Sequence, residues 1–223
     1  MNRTNRLLLV VISAAVVSAS ALAVAGALEE NDQRKPTVTR EFAWDGSESL
    51  VVDLPAEVRF VQSAGPGKVV VTGAARSVET FRADGGVLRD ARWHTGKPLQ
   101  VVVQAPKITR FAVKGGDRLA IESFDQPELH IEATGRADIT AAGRATTLEL
   151  HLQGSGWADL SGLATDGAEV TVSGARHALI APASWATLSG NGTVVLLTNP
   201  PKLDTNFGDS GRVIRAAPPL ASR

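Results

Sequence analysis

From Phe42 onward the chain alternates apolar and polar residues with the two-residue period of a half-buried strand. The stretches SLVVDLPAEVRFVQS (49–63) and GKVVVTGAA (67–75) read as two strands joined by the Gly-Pro-Gly turn between them. In VETFRADGGVLRDARW (78–93) the Asp84-Gly85-Gly86 break predicts a turn into another strand, and PLQVVVQAP (98–106) reads as a strand stopped by proline. After residue 28 no 3.6-residue apolar stripe reaches helix length, and the best case, Ala74 to Phe81, is barely two turns. The pattern predicts an all-β chain.

The second half repeats itself. LHIEATGRADIT (129–140) returns as LHLQGSGWADLS (150–161), which aligns Leu129 with Leu150, His130 with His151 and Asp138 with Asp159. Related segments lie at 110–121, 169–180, 187–197 and 205–215. Their Gly-rich corners fall at 117, 135, 156, 176, 192 and 211, in steps of 16 to 21 residues. A propeller blade needs about 40 residues, and the frame of a leucine-rich repeat is missing. The expected fold is a right-handed parallel β-helix of about six coils of roughly 20 residues, with 42–93 as a strand-rich N-terminal cap. Leu, Ile and Val point inward, while His, Glu, Thr and Arg point out.

The N-terminus adds a destination. Arg3 and Arg6 precede a charge-free run from Leu7 to Leu28, which ends in small residues suited to a signal peptidase. At 22 residues the run is also long enough to span a bilayer. Residues 1–27 are therefore expected as a cleaved signal peptide or an uncleaved membrane anchor, and both place the remainder outside the cytoplasm. Residues 28–41 read as linker, 42–215 as a single domain and 216–223 as a disordered tail. Without 1–27 the chain carries 21 basic and 23 acidic side chains, interspersed, so nothing electrostatic points to nucleic acid. Cysteine is absent, which removes disulfides, thiolate chemistry and a lipoprotein anchor.

Several of these segments match a known pattern. GSGWADLSG, SGNGTVVLLTNPPKL and, upstream, LVVDLPAEVRFVQSAGPGKVVVTG resemble the GIN domain, the autotransporter-adhesin head domain, over about residues 42–215. The resemblance implies an exported bacterial β-helix protein with no defining catalytic motif. At Gly116-Asp117 and Ala175-Arg176 the repeated glycines are diluted, which implies wider or less regular coils there.

Four sets of residues could carry chemistry. His130 and His151 could form a ladder that, with Glu128, Glu132 and Glu149, resembles a metal set, although a solvated polar ladder is the simpler reading; His94 and His177 stand apart. Asp138 and Asp159, stacked by the alignment, could be paired carboxylates of a glycosidase, a calcium bridge, or caps of the Gly corners. Ser155, Ser173, Ser189 and Ser210 lie beside glycines, but no nucleophile elbow or phosphate loop surrounds them. Of Trp44, Trp93, Trp157 and Trp185, only Trp157 follows a corner glycine in a way that points outward, toward a sugar ring; the others fit the ends of the core. No catalytic, cofactor or metal site is assigned, and no cofactor is expected. The reading favoured is a non-enzymatic, adhesin-like envelope protein of the periplasm or cell surface, with an envelope glycan or protein as partner. A polysaccharide-active enzyme using Asp138, Asp159 and Arg136, or an ectodomain tethered by residues 7–28, are the alternatives.

Overall fold

The structure, a computed structural model, describes residues 36–91 and 97–216. Residues 1–35, with the run expected as signal peptide or anchor, the tail from residue 217, Trp93 and His94 lie outside the described residues. Fourteen strands and one short helix make up the rest. They are β1 (Thr37–Ala43), β2 (Ser49–Asp53), β3 (Ala56–Gln62), β4 (Lys68–Ala74), α1 (Ala75–Thr80), β5 (Phe81–Asp84), β6 (Val87–Asp90) and β7 (Leu99–Ala105). There follow β8 (Arg110–Gly115), β9 (Arg118–Asp125), the long β10 (Glu128–Ile180), β11 (Pro182–Gly190), β12 (Thr193–Leu196), β13 (Lys202–Phe207) and β14 (Arg212–Arg215). All strands belong to one mixed sheet, curled into a nearly closed, barrel-like wall around a single apolar core.

The fold is all-β, as the alternation requires, but its sheet is not the uniformly parallel one expected. From β8 on, the pairing is parallel and each strand meets its partner one repeat later. Phe111 lies against Ile131, Leu119 against Ile139, Val170 against Leu188 and Val194 against Val213. The N-terminal third departs from this. Pro55 follows β2 at a corner and splits the expected first strand in two. Strand β2 pairs in parallel with β6 and β8, and β3 in parallel with β7 and β9. The β2–β3 unit thus sits between β6–β7 and β8–β9, so order in space differs from order in sequence. Only β1, β4 and β5 act as cap. The two-residue Gly85-Gly86 turn is too short for a crossover and forces β5 and β6 into an antiparallel hairpin. Strand β4 runs antiparallel between β1 and β7.

Residues 37–41, read as linker, belong to β1, which pairs along its whole length with β4 from Thr37↔Ala74 to Ala43↔Lys68. Their weak apolar pattern reflects an edge strand with mostly exposed side chains. The corner glycines have a steric cause. At Gly154 and Gly174, both at positive φ, a Cβ would collide with the carbonyl oxygens of Gly135 and Gly154, 19 and 20 residues earlier in the chain. These contacts also set the spacing of neighbouring turns within β10.

Candidate functional site

That spacing decides which side chains meet. Gly154 lies over Gly135 and Gly156 over Ala137, so the turns are offset by 19 residues here, not by the 21 of the sequence alignment. A two-residue slip leaves every side chain on its expected face but changes its neighbour. Asp138 therefore lies beside Trp157 instead of Asp159. The carboxylate pair of a glycosidase or calcium site is not assembled, and the Asp159 Oδ1 instead accepts a hydrogen bond at 3.0 Å from the N–H of Ser161, a local turn cap.

The same shift reorganises the histidines. His130 Nδ1 lies 2.6 Å from Glu149 Oε2, and His151 Nε2 lies 2.8 Å from the other oxygen of Glu149. His130 Nε2 is also 3.4 Å from Glu128 Oε2. One carboxylate thus bridges two imidazoles, whose hydrogen bonds, that of His151 foremost, hold Glu149 below its ordinary carboxylate range. Among the described residues no three His, Asp or Glu side chains converge in a way that could hold a metal ion. Glu132 and His177 do not join the cluster.

A different grouping comes together on the sheet face. Gln100 pairs in register with Glu57, Glu57 with Arg118, and Arg118 with Asp138; Trp157 completes the row. These five outward side chains, from β7, β3, β9 and two turns of β10, line an open depression of about 250 Å3 together with Arg59 and Thr140. Its charges are partly tied. Gln100 Nε2 donates to Glu57 at 2.6 Å, Arg118 Nη1 lies 3.6 Å from Glu57, and Arg59 forms a two-pronged pair with Glu122 at 2.8 and 2.6 Å. Trp157 stands 41% exposed beside them. Among the described residues neither its indole N–H nor the Asp138 carboxylate has a hydrogen-bond partner. Trp44 is buried, donating to the Ser47 carbonyl at 2.9 Å, and Trp185 packs over Gly167, so both are structural. Sequence reasoning found Trp157 and Asp138 but missed Gln100, Glu57 and Arg118, because their partners lie 20 to 61 positions away and carry no shared motif.

Two charged groups lie inside the core, at the two positions where the glycines are diluted. Asp117 is 3% exposed; its Oδ1 accepts from the Ala56 N–H at 3.2 Å, and its Oδ2 has no partner. Burial pushes this carboxyl up to about 7, with the nearby Asp53 charge adding to the effect. Arg176 is 1% exposed and donates to three backbone carbonyls, those of Ala137 (2.9 Å), Gly135 (2.8 Å) and Gln153 (3.1 Å). Its burial lowers the guanidinium's pKa, which the Asp138 charge partly restores. Neither group faces the depression as a reacting residue. Each stitches one corner to another.

Residues 48–200 match the family described as "Putative auto-transporter adhesin, head GIN domain". The chain belongs to that family. Among solved structures, a "putative adhesin" from Bacteroides fragilis is similar at 14% identity with a TM-score of 0.67, covering 82% of this chain and 98% of that one. A "putative lipid binding protein" from Parabacteroides distasonis is similar at 12% identity and a TM-score of 0.47, over 82% and 98% of the two chains. The first of these supports the all-β fold. No curated protein matches. Among the described residues no helix is long and apolar enough to cross a membrane.

Proposed function

We propose that this chain is exported and serves outside the cytoplasm as a non-enzymatic, adhesin-like binding module of the cell envelope. The observation that carries this reading is the row Gln100–Glu57–Arg118–Asp138–Trp157, an open strip of ordered side chains with an exposed indole at one end. The strip is shallow and lacks a paired acid and base or an activated nucleophile among the described residues, which suits holding a partner better than transforming one. Membership of a family described by an adhesin head domain supports the same reading. Export rests on the Leu7–Leu28 run behind Arg3 and Arg6. We further propose that 110–215 winds as a right-handed parallel β-helix, supported by parallel partners that recur one repeat later. Its stacked outer rows then give the flat faces on which a partner would lie.

The test is crosslinking in intact envelopes with the tagged full chain, followed by mass spectrometry of captured proteins and glycans. A partner competed away by excess untagged protein is the expected result. A capture profile indistinguishable from that of an unrelated exported protein overturns the reading. Fractionation of the same cells distinguishes the two forms of export. Retention in membranes after a high-salt wash means the 7–28 segment is an uncleaved anchor.

A further inference from the structure

We infer that the depression at Trp157 and Asp138 is a glycan site, specific for neutral sugar units bearing adjacent hydroxyl groups. This rests on the binding-module reading of the same row and specifies its ligand. Three features of the site lead to this chemistry.

The first is the juxtaposition of an exposed indole with a carboxylate that accepts no hydrogen bond. An aromatic face packs against the apolar C–H face of a sugar ring, and Trp offers the largest such face at little cost in conformational entropy. A carboxylate beside it presents two acceptor oxygens that can take two neighbouring O–H donors at once. Asp138 is the only acid of the row left free for this, because Glu57 is engaged by both Gln100 and Arg118. Thr140, in the same depression, adds a hydroxyl that can donate or accept.

The second is charge. Glu57 and Arg118 offset one another, and so do Arg59 and Glu122, which leaves Asp138 as the one charged side chain lining the depression that makes no direct ion pair. The Arg176 guanidinium attracts Asp138 from inside the core, but it is buried and its donors are spent on three carbonyls, so it offers no hydrogen bond to a ligand in the depression. An acidic glycan, a nucleic acid or a phosphate would meet a carboxylate with no free cation dominating the site. A hydroxyl-rich neutral ring meets only acceptors and donors.

The third is the position of the row within the sheet. Strands β7, β3, β9 and β10 are interior strands with neighbours on both sides, so their backbone groups are already paired. A peptide cannot add here as an extra strand, and recognition falls to side chains alone. Four strand-to-strand steps of about 4.8 Å make the row roughly 19 Å long, which suits an extended oligomer better than a single small molecule.

The full chain, applied to an array of neutral hexose oligosaccharides alongside sialylated and uronic-acid-containing ones, tests this directly. Binding confined to neutral glycans is expected, and mild periodate, which cleaves the carbon–carbon bond between adjacent hydroxyls, should abolish it. Trp157→Ala and Asp138→Asn should each weaken binding about tenfold or more with the unfolding midpoint unchanged, while Trp157→Phe retains part of it. Lys107→Ala, whose side chain pairs with Glu48 away from the row, serves as the unaffected control. Should Trp157→Ala fail to fold, Asp138→Asn and the periodate treatment decide alone. Binding that survives both substitutions, or is confined to acidic glycans, overturns the inference. A protein partner captured from envelopes with no glycan binding overturns it too, but leaves the binding module standing. The absence of both removes the two readings together.

Discussion

The two ends of the sheet are finished differently. At the N-terminal end the parallel strands β6 and β7 are covered by antiparallel neighbours, β5 on one and β4 with β1 on the other, and aromatic rings fill the space beneath. Phe42 and Phe81 meet with ring centres 5.3 Å apart, and Phe60 and Phe111 meet edge to face at 5.1 Å. At the C-terminal end β13 and β14 each pair on one side only, and Leu197 and Ile214 stand 38% and 46% exposed. A strand paired on one side has about half the ladder hydrogen bonds and cross-strand contacts of a strand paired on both. The chain reverses direction to end one side in the antiparallel edge strands β1 and β5, and ends the other in the parallel edge strands β13 and β14.

The sharpest way to break this comparison is to hollow out each end. Phe60 and Leu196 are both fully buried. Phe60→Ala removes a fully buried ring packed edge to face on Phe111 and should cost about 4 kcal/mol, lowering the midpoint of a single unfolding transition. Leu196→Ala should cost about 2 kcal/mol, and hydrogen exchange should show the loss confined to β12 and β14. Equal, global effects of the two would mean that both ends are tied to the rest of the sheet to the same degree.

Arg176 probes the middle. Its guanidinium donates to three corner carbonyls, and each hydrogen bond from a charged donor contributes on the order of 1 kcal/mol or more. Arg176→Ala should therefore cost about 3 kcal/mol by urea denaturation. Arg176→Lys should recover only part of this, because a single ammonium cannot reproduce the planar fork. A neutral Arg176→Ala would mean that water replaces the guanidinium at all three carbonyls.

Asp117 lies where the β2–β3 corner meets the β8–β9 corner, and its effect has the opposite sign. In the unfolded chain this carboxyl ionises near its ordinary 3.8, in the folded one near 7. Between those values the folded protein keeps a proton that the unfolded one has released. Stability accordingly falls as pH rises from about 4 to 7 and is level above. Asp117→Asn should raise stability by about 2 kcal/mol at pH 8 and change it little at pH 4, as read from thermal midpoints at the two pH values. A gain that is the same at both pH values would mean the carboxyl is not protonated in the fold near neutrality.

How much of this the sequence discloses depends on what each feature rests on. The alternation of Leu129, Ile131 and Ala133 with exposed partners fixes which side faces the core, since that is a property of single residues. The corner glycines are equally legible. Register is not, because backbone ladders pair without regard to side-chain identity, and offsets of 19 and 21 place the same residues inward. The similarity of LHIEATGRADIT to LHLQGSGWADLS therefore aligned Asp138 with Asp159, while the backbone set it beside Trp157. The antiparallel cap was also hidden, since β1 and β5 find neighbours that no local pattern names. Asp117 and Arg176 were visible as breaks in the glycine pattern, but their inward direction follows only from the contacts around them.

The smallest effect concerns the outer ladder of the repeat, at Glu149. The carboxylate is held by His130 and His151 but is well exposed, and exposed pairs are screened and contribute little. Because its folded pKa lies below the ordinary 4.5, its contribution is present above about pH 4.5 and is lost as pH falls through the lowered value. Glu149→Gln should thus cost only a few tenths of a kcal/mol at pH 6, and the difference from the unsubstituted chain should vanish in the most acidic range where folding persists. A loss as large as that of Arg176→Ala would be informative in the other direction. It would mean that the His–Glu–His bridge fastens neighbouring turns from outside as firmly as the buried guanidinium does from within, and that the outer row of the repeat is a structural seam instead of a solvated ladder.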